Sequence, residues 1–251
     1  MRFTLKRKLL EGKQIVGCFL NYYAPALVET IGMTGCDFFV LDNEHGSFSP
    51  SEMENMIRAA DSVGMATIVR VDYDNSSIQK ALDMGAEGVQ IPKVNSRQDA
   101  ELAVMRAKYP PQGDRGVGFS ARCVRVSEIK GAAYLKEANE NVLVIAQIET
   151  PDAIENLPDI LAVPGIDVAF LGKMDLSTAV GTPRDVSSPV MLELTARFFD
   201  ETRKAGVISG YIHDNSVSLA EAKKKNSLYI ATVAGLSGNV QATVKERNDN
   251  C

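Results

Sequence analysis

Charged side chains follow four short apolar runs of this sequence, at points where buried strands would end. The six side chains are Asp42, Glu44, His45, Arg70, Glu149 and Asp175. In a barrel of parallel strands, the loops that follow the strands converge on one mouth, where the chemistry of such barrels takes place. One charged residue after a strand would be ordinary loop polarity. Four such strand ends together predict an active site.

Glu149 and Asp175 follow two consecutive predicted strands, so their carboxylates should lie side by side at the mouth. Carboxylate oxygens suit a hard divalent cation, and two protein ligands leave room for water and substrate. The alternative for paired carboxylates is general acid and base catalysis, as in glycosidases. The chain has no Trp and only 6% aromatic residues, which disfavours a cleft that stacks on sugars. The pair is therefore interpreted as a site for Mg²⁺, Mn²⁺ or Co²⁺.

His45 stands three residues after Asp42. A carboxylate close to an imidazole can fix its tautomer and raise its basicity, so His45 is a candidate base with Asp42 as its orienting group.

Arg70 needs an anionic partner, and its planar fork suits a carboxylate or an enolate oxygen. A structural ion pair with a neighbouring acid is the alternative for Arg70. His213 also follows a strand, either as a second site histidine or as an ordinary loop residue.

Lys93 and Lys173 also follow predicted strands and keep a different mechanism open. A lysine at a barrel mouth is the nucleophile of a Schiff-base aldolase. That mechanism gives no role to the carboxylate pair or to the Asp42 and His45 pair, so the metal mechanism is favoured.

Short apolar runs alternate with segments of helical periodicity along the chain, as in repeated βα units. The eight predicted strands cover residues 15–20, 38–41, 67–69, 88–91, 142–148, 168–171, 208–211 and 228–232. Predicted helices include 51–63 with Ser51 and Glu54 as a capping box, 96–108 with a Ser cap, 151–161, 191–204, 216–224 and 238–247. Residues 109–126 are too long for an ordinary connection and are predicted to form a functional loop.

This alternation would also fit an open doubly wound sheet, so the fold prediction depends on the count of strands. Eight strands, four of them with charged ends, favour an α/β fold of the (β/α)₈ TIM barrel type. A length of 251 residues fits one such barrel, so residues 1–251 are expected to form a single domain.

The composition excludes several functional classes. A net charge of −5 and a pI near 5.2 give no electrostatic attraction for nucleic acids. The sequence has neither a signal-peptide pattern nor an apolar run of membrane-spanning length, so no membrane association is expected. Four cysteines without pairing or metal spacing fit reduced thiols in the cytoplasm.

Taken together, these motifs resemble the HpcH/HpaI aldolase family, the class II pyruvate aldolases that cleave 4-hydroxy-2-oxo acids. The matching segments span most of the chain and are, in order, residues 41–45, 69–70, 81–86, 109–111, 115–118, 147–150 and 175–177. The family's G-P-x-D is here Gly172-Lys173-Met174-Asp175, so a cation replaces a rigid proline. Near the C-terminus, ATVAGLSG lacks the acidic residue usual after the glycine.

The resemblance implies that Glu149 and Asp175 bind a divalent metal. It also implies that His45 with Asp42 moves protons, and that Arg70 contacts the keto or enolate oxygen of the substrate. These implied roles coincide with those inferred from the residue types.

Further implications concern substrate binding and assembly. By resemblance, Gln147 lies near pyruvate, and the backbone around Gly172, Lys173 and Met174 receives its carboxylate. A homo-oligomer, typically a dimer of trimers, is also implied, with Asp83 near an interface that completes the site.

The expected reaction is the reversible cleavage of a 4-hydroxy-2-oxo acid to pyruvate and an aldehyde, through an enolate stabilised by the metal as a Lewis acid. The alternatives are a non-catalytic barrel that binds oxo acids, since fold does not fix function, and a lyase acting on CoA thioesters. No nucleotide-binding signature supports the latter.

Overall fold

Eight parallel strands of the computed structural model close into a barrel in which each strand pairs with the next and β8 pairs with β1. The structure describes residues 3–74, 76–213 and 218–233. The strands are β1 Ile15–Leu20, β2 Phe38–Asp42, β3 Ala66–Arg70, β4 Gly88–Ile91, β5 Leu143–Ile148, β6 Val168–Leu171, β7 Ile208–Ile212 and β8 Ser227–Val233. The predicted (β/α)₈ barrel is confirmed, and β1, β4 and β6 have the predicted bounds.

Helices precede β1 and follow the strands around the outside of the barrel. Within the described residues they are α1 Leu5–Leu10, α2 Pro25–Met33, α3 Pro50–Ser62, α4 Ser77–Met84, α5 Arg97–Ala107, α6 Arg122–Arg125, α7 Gly131–Asn141, α8 Pro151–Glu155, α9 Leu157–Leu161, α10 Lys173–Ala179, α11 Pro189–Ala205 and α12 Leu219–Lys224. The predicted helix over 238–247 and most of the ATVAGLSG segment lie outside the described residues, as does the predicted start of the helix at 216.

The capping box predicted at Ser51 and Glu54 is wrong, because the N-cap of α3 is Ser49, two residues earlier. The side chain of Ser49 accepts from the backbone N–H of Glu52 (3.3 Å), and the Glu52 carboxylate accepts from the backbone N–H of Ser49 (2.7 Å). Both pairs have the required spacing, and Pro50 decides between them. Its fixed φ and missing N–H suit the first helical position, where no partner is needed.

The predicted helix over residues 151–161 is two short helices, α8 and α9, separated at Asn156. Pro158 explains the break, since a proline inside a helix lacks the N–H donor and its ring clashes with the carbonyl four residues earlier. The loop over 109–126 contains the short helix α6.

Large aromatic side chains fill the barrel interior. Phe38 and Tyr229 lie 4.7 Å apart between ring centroids, and Phe170 meets Tyr229 edge-on at 5.8 Å. Gly17 makes room for them, since a Cβ there would overlap the Phe38 ring. At the amino-terminal end, α1 contributes Leu5 to the same buried cluster. The interior of the barrel is therefore a packed core, and the loops at its carboxyl end are where barrels of this type bind their substrates.

Strand register brings the polar residues of that end to one level. Asp42 on β2 stands opposite Arg70 on β3, and Arg70 stands opposite Gln90 on β4. Residues at matching register on neighbouring strands point to the same face of the sheet, which here is the interior. No helix within the described ranges is long and apolar enough to cross a membrane.

Candidate active site

Arg70, the last residue of β3, is held by two carboxylates at the mouth of the barrel. Its Nε and Nη2 donate to the two oxygens of Asp42 at 2.7 and 2.6 Å, and its Nη1 lies 3.3 Å from Glu44 Oε2. The guanidinium also lies 5.2 Å from the centroid of the Phe19 ring. Burial alone would lower the pKa of Arg70, but the hydrogen bonds to Asp42 and the carboxylate charges raise it. Arg70 is therefore a permanently charged and firmly oriented group.

The Asp42 carboxylate binds Arg70 and the backbone N–H of His45 (3.3 Å), and not the His45 ring as predicted. The reason is the register, because Asp42 stands directly opposite Arg70 on the adjacent strand. The carboxylate beside the ring is that of Glu44, whose Oε2 lies 3.9 Å from His45 Nε2. The side chain of His45 is 56% exposed, so it is accessible to a substrate.

Glu149, which follows β5, is almost completely buried, and its carboxylate is fixed by neighbouring groups. The backbone N–H of Lys93 donates to Oε1 at 2.8 Å, and the Gln147 side chain donates to Oε2. Gly172 lies directly against this carboxylate, since a Cβ added there would be 2.7 Å from Glu149 Oε2. The position of the carboxylate therefore depends on the backbone of two neighbouring loops.

The mouth carries an excess of negative charge. Burial raises the pKa of Glu149 above its ordinary value, and the charges of Asp175 and Glu44 raise it further against the effect of its hydrogen bonds. Asp175 lies in the first turn of α10 and is exposed. With Asp42, four carboxylates therefore share the mouth with Arg70. Among residues 3–74, 76–213 and 218–233, no group of three or more His, Cys, Asp or Glu side chains is arranged to hold a metal ion.

A cavity of about 550 Å³ opens at this mouth. Its charged and polar lining includes Asp42, His45, Arg70, Gln147 and Asp175. Its apolar lining includes Phe19, Phe170, Val186 and Ile212. The predicted substrate-binding residues Gly172, Lys173 and Met174 line the same cavity. The structure therefore brings residues from widely separated segments to one space that can hold a small molecule.

The two lysines proposed for a Schiff base have different positions. Lys93 places its Nζ 5.4 Å from the centroid of the Tyr73 ring, while its backbone N–H holds Glu149. Lys173 lines the cavity, and its Nζ lies 5.7 Å from the centroid of the Tyr211 ring. Lys173 is therefore the lysine with direct access to a bound substrate.

Two further candidates have their contacts away from the cavity. Asp83, on α4, accepts from Arg115 Nη2 at 2.6 Å, and the Arg115 guanidinium lies over the Tyr109 ring at 4.4 Å. The Asp83 side chain is 24% exposed, and its role at a subunit interface stays a prediction. His213 continues the β7 pairing through its backbone, and its ring lies beside that of Tyr211 at 6.3 Å.

Three side chains at the mouth had no role assigned from the sequence. The Tyr73 hydroxyl donates to Glu44 Oε1 at 2.8 Å, and the buried Gln90 amide donates to Gln147 Oε1. Gln90 gave a usable signal, since a polar residue inside an apolar strand needs a partner when buried. Glu44 stood within the recognised charged cluster. Tyr73 lies in a loop without periodicity, so nothing in the sequence marked it.

Comparison with known proteins gives one family. The HpcH/HpaI aldolase/citrate lyase family matches residues 15–232 of the chain. A 2-keto-3-deoxy-L-rhamnonate aldolase of Klebsiella pneumoniae is 32% identical over 209 residues, which are 82% of this chain and 78% of that protein. A hydroxypyruvate/pyruvate aldolase of Sagittula stellata is 30% identical over 227 residues, covering 90% of this chain and 89% of the other.

A solved structure is similar over nearly the whole chain. The HpcH/HpaI aldolase from Desulfitobacterium hafniense has a TM-score of 0.87 and 30% identity, covering 98% of this chain and 95% of that one. The predicted family resemblance and the prediction of an aldolase enzyme are thereby confirmed. The chain belongs to the HpcH/HpaI aldolase/citrate lyase family.

Proposed function

We propose that this chain is a divalent-metal-dependent aldolase that reversibly cleaves a 4-hydroxy-2-oxo acid into pyruvate and an aldehyde. The observation that carries the proposal is the mouth itself, where a fixed Arg70 and an exposed His45 share one cavity with Asp175 beside the buried Glu149. The names of the relatives from Klebsiella pneumoniae and Sagittula stellata support a pyruvate-type substrate.

Glu149 and Asp175 would hold the metal, and the chemistry of these residues fits such a group. Each oxygen of Glu149 accepts one hydrogen bond and keeps a further lone pair for a ligand. A divalent cation would also oppose the burial and the neighbouring negative charges that raise the pKa of Glu149. When bound, Mg²⁺, Mn²⁺ or Co²⁺ would supply Lewis acidity toward the 2-oxo group of the substrate.

Arg70 would stabilise the charge that develops on the 2-oxo oxygen. Nε and Nη2 each donate to Asp42, and Nη1 forms an ion pair with Glu44 without a hydrogen bond, so the guanidinium, which lines the cavity, keeps N–H donors that a substrate could use. Because Asp42, Glu44 and Phe19 fix the guanidinium before substrate binds, little reorganisation is needed during the reaction.

His45 would move the proton. In cleavage it takes the proton of the 4-hydroxyl group, the C3–C4 bond breaks, and the electron pair of that bond passes into the pyruvate half as an enolate. The 4-hydroxyl carbon leaves as the aldehyde, and C3 of the enolate then accepts a proton. In the synthetic direction, the same base removes a proton from C3 of pyruvate.

The cavity suggests how the two halves of the substrate are arranged. We assign the pyruvate half to Arg70, Gln147 and Gly172 and the aldehyde half to Val186 and Ile212, all of which line the cavity. We also propose that the chain assembles as a homo-oligomer with Asp83 near the interface. Light scattering at several protein concentrations would test the assembly.

Hydrogen exchange of pyruvate tests the proposal without knowledge of the aldehyde. Pyruvate in D₂O should lose its methyl proton signal in the presence of enzyme and metal, faster than with metal alone, and EDTA should stop the exchange. Activity that survives complete metal removal, with borohydride trapping of pyruvate on Lys93 or Lys173, would favour the Schiff-base mechanism. Binding of pyruvate without any exchange would favour a non-catalytic barrel.

A further inference from the structure

We infer that Glu44, held in place by Tyr73, is the positioning residue that orients His45 for proton transfer. The inference deepens the proposed function and rests on it. It assigns to Glu44 the orienting role that would otherwise go to Asp42, and it gives a function to a tyrosine of the loop after β3.

Asp42 is already committed to Arg70. Both of its oxygens accept from the guanidinium, at 2.7 and 2.6 Å, and Oδ1 also receives the backbone N–H of His45. A bidentate pair of this kind is strong and geometrically specific. Releasing one oxygen to the His45 ring would break a charge-assisted hydrogen bond that is shielded from water.

Glu44 has the oxygen that Asp42 lacks. Its side chain is 6% exposed, and Oε2 has no hydrogen-bond partner within the described part of the chain. This atom lies 3.3 Å from Arg70 Nη1 and 3.9 Å from His45 Nε2. A buried carboxylate oxygen without a hydrogen bond is costly. A movement of the exposed His45 ring by about 1 Å would bring Nε2 within the usual distance of a charge-assisted hydrogen bond.

This contact becomes stronger when the proton moves. With the Nε2 proton directed at Glu44, Nδ1 of His45 is the nitrogen that takes the proton from C3 of pyruvate or from the 4-hydroxyl group. The product of that step is an imidazolium, whose positive charge then faces the Glu44 carboxylate. Glu44 therefore favours the charged form that His45 must reach, without itself gaining or losing a proton.

Tyr73 fixes the other oxygen of Glu44. Its hydroxyl donates to Oε1 at 2.8 Å, and the Lys93 ammonium lies over its ring at 5.4 Å. Desolvation raises the pKa of Tyr73, and the hydrogen bond to Glu44 and the charge of Glu44 raise it further, so the phenol remains a donor. With Oε1 occupied, Oε2 is the oxygen that faces His45.

A double-mutant cycle tests whether Glu44 acts through His45. The measured quantity is the rate of pyruvate proton exchange with metal, for wild type, Glu44→Gln, His45→Ala and the double variant. Glu44→Gln should slow exchange roughly 10- to 100-fold, the value of one hydrogen bond to a charged group, with little change in the KM for pyruvate. In the His45→Ala background, the same change should cost clearly less, because the group that Glu44 orients is gone and only its ion pair with Arg70 is lost.

Asp42→Asn is the matched control, since it also converts a carboxylate into an amide at the mouth. It should slow exchange by a similar factor with or without His45, because it acts through Arg70.

Tyr73→Phe should give a smaller loss than Glu44→Gln, and that loss should vanish in the Glu44→Gln background. Glu44→Asp, which keeps the charge, should recover part of the rate. Equal losses for Glu44→Gln in both backgrounds, or no loss in either, would overturn the inference.

A second measurement does not depend on turnover. His45 and His213 are the two histidines of the chain, so ¹⁵N labelling gives two ring systems, which His213→Gln assigns. Glu44→Gln should shift the ring nitrogens of His45, and Asp42→Asn should leave them near their wild-type positions. An unchanged His45 ring in Glu44→Gln would refute the inference. Absence of exchange in wild type with an altered His45 ring would instead refute the proposed function alone.

Discussion

Replacing Gly172 by alanine should weaken metal binding by displacing Glu149, while leaving the barrel folded. The added Cβ would lie 2.7 Å from both Cβ and Oε2 of Glu149, and ordinary van der Waals contact begins at 3.4 Å. The Glu149 side chain must therefore retreat by 0.7 Å, the difference between these distances. Gly172 has φ −88° and ψ 78°, outside the left-handed region, so alanine introduces no positive-φ strain there.

The size of the effect follows from this displacement. Functional groups have to be placed within about 0.5 Å of the productive geometry, and a 1 Å error can cost roughly 100-fold. We therefore expect Gly172→Ala to lose about 10- to 100-fold in Mn²⁺ affinity by calorimetry, and a similar factor in pyruvate exchange at fixed metal. The crowding itself should cost about 1–3 kcal/mol of stability.

Gly181→Ala separates destabilisation from displacement. Gly181 lies shortly after α10, the helix that begins directly after Gly172, and has φ +79°. An added Cβ at Gly181 would have no heavy atom within 4 Å, so alanine strains the backbone there without crowding the site. This variant should lose stability and keep wild-type metal affinity. If Gly172→Ala also binds Mn²⁺ and exchanges pyruvate like wild type, the position of the Glu149 carboxylate does not limit metal binding.

Four further predictions concern single side chains. Glu149→Gln and Asp175→Asn should each remain folded by circular dichroism and lose metal affinity in calorimetry; a Glu149→Gln variant that unfolds while wild type contains no metal would make Glu149 a structural residue. His45→Ala should keep metal and pyruvate binding but turn over roughly 10²–10⁴-fold more slowly, the usual range for one acid or base group, and near-normal turnover would remove it from the mechanism. Arg70→Ala should slow pyruvate exchange by a factor corresponding to a few kcal/mol, and Arg70→Lys should restore only part of the rate, because a point charge does not reproduce the fork. Burial lowers the pKa of Lys108 to about 8, so the folded protein binds this proton less tightly than the unfolded chain does. The free energy of unfolding of wild type, measured relative to that of Lys108→Met, should therefore rise between pH 8 and about pH 10.5. A pH-independent difference between the two proteins in urea titrations would contradict that last prediction.

The sequence alone determined the strands, their order and the end of the barrel that carries the chemistry. The bounds of β1, β4 and β6 were predictable because a buried strand is a short, mostly apolar run whose signal lies within the run, even where one polar residue such as Gln90 interrupts it. Arg70 and Asp42 were found for a similar reason, since a charge at the end of such a run needs no knowledge of distant residues. The start of α3 is also set locally, because Pro50 at the first helical position selects Ser49 as the N-cap where spacing alone does not.

Only the tertiary structure decided which charged groups are partners. Asp42 and Arg70 are 28 residues apart in sequence and meet because their strands pair in one particular register. Tyr73 and Glu44 are 29 residues apart and meet between two loops. Sequence distance favoured Asp42 as the partner of His45, but the orientation of a side chain in a barrel is set by the pleat and the register of neighbouring strands. A partner across strands is fixed by contacts that form only when the barrel closes, so its identity is not encoded in the local pattern of either segment.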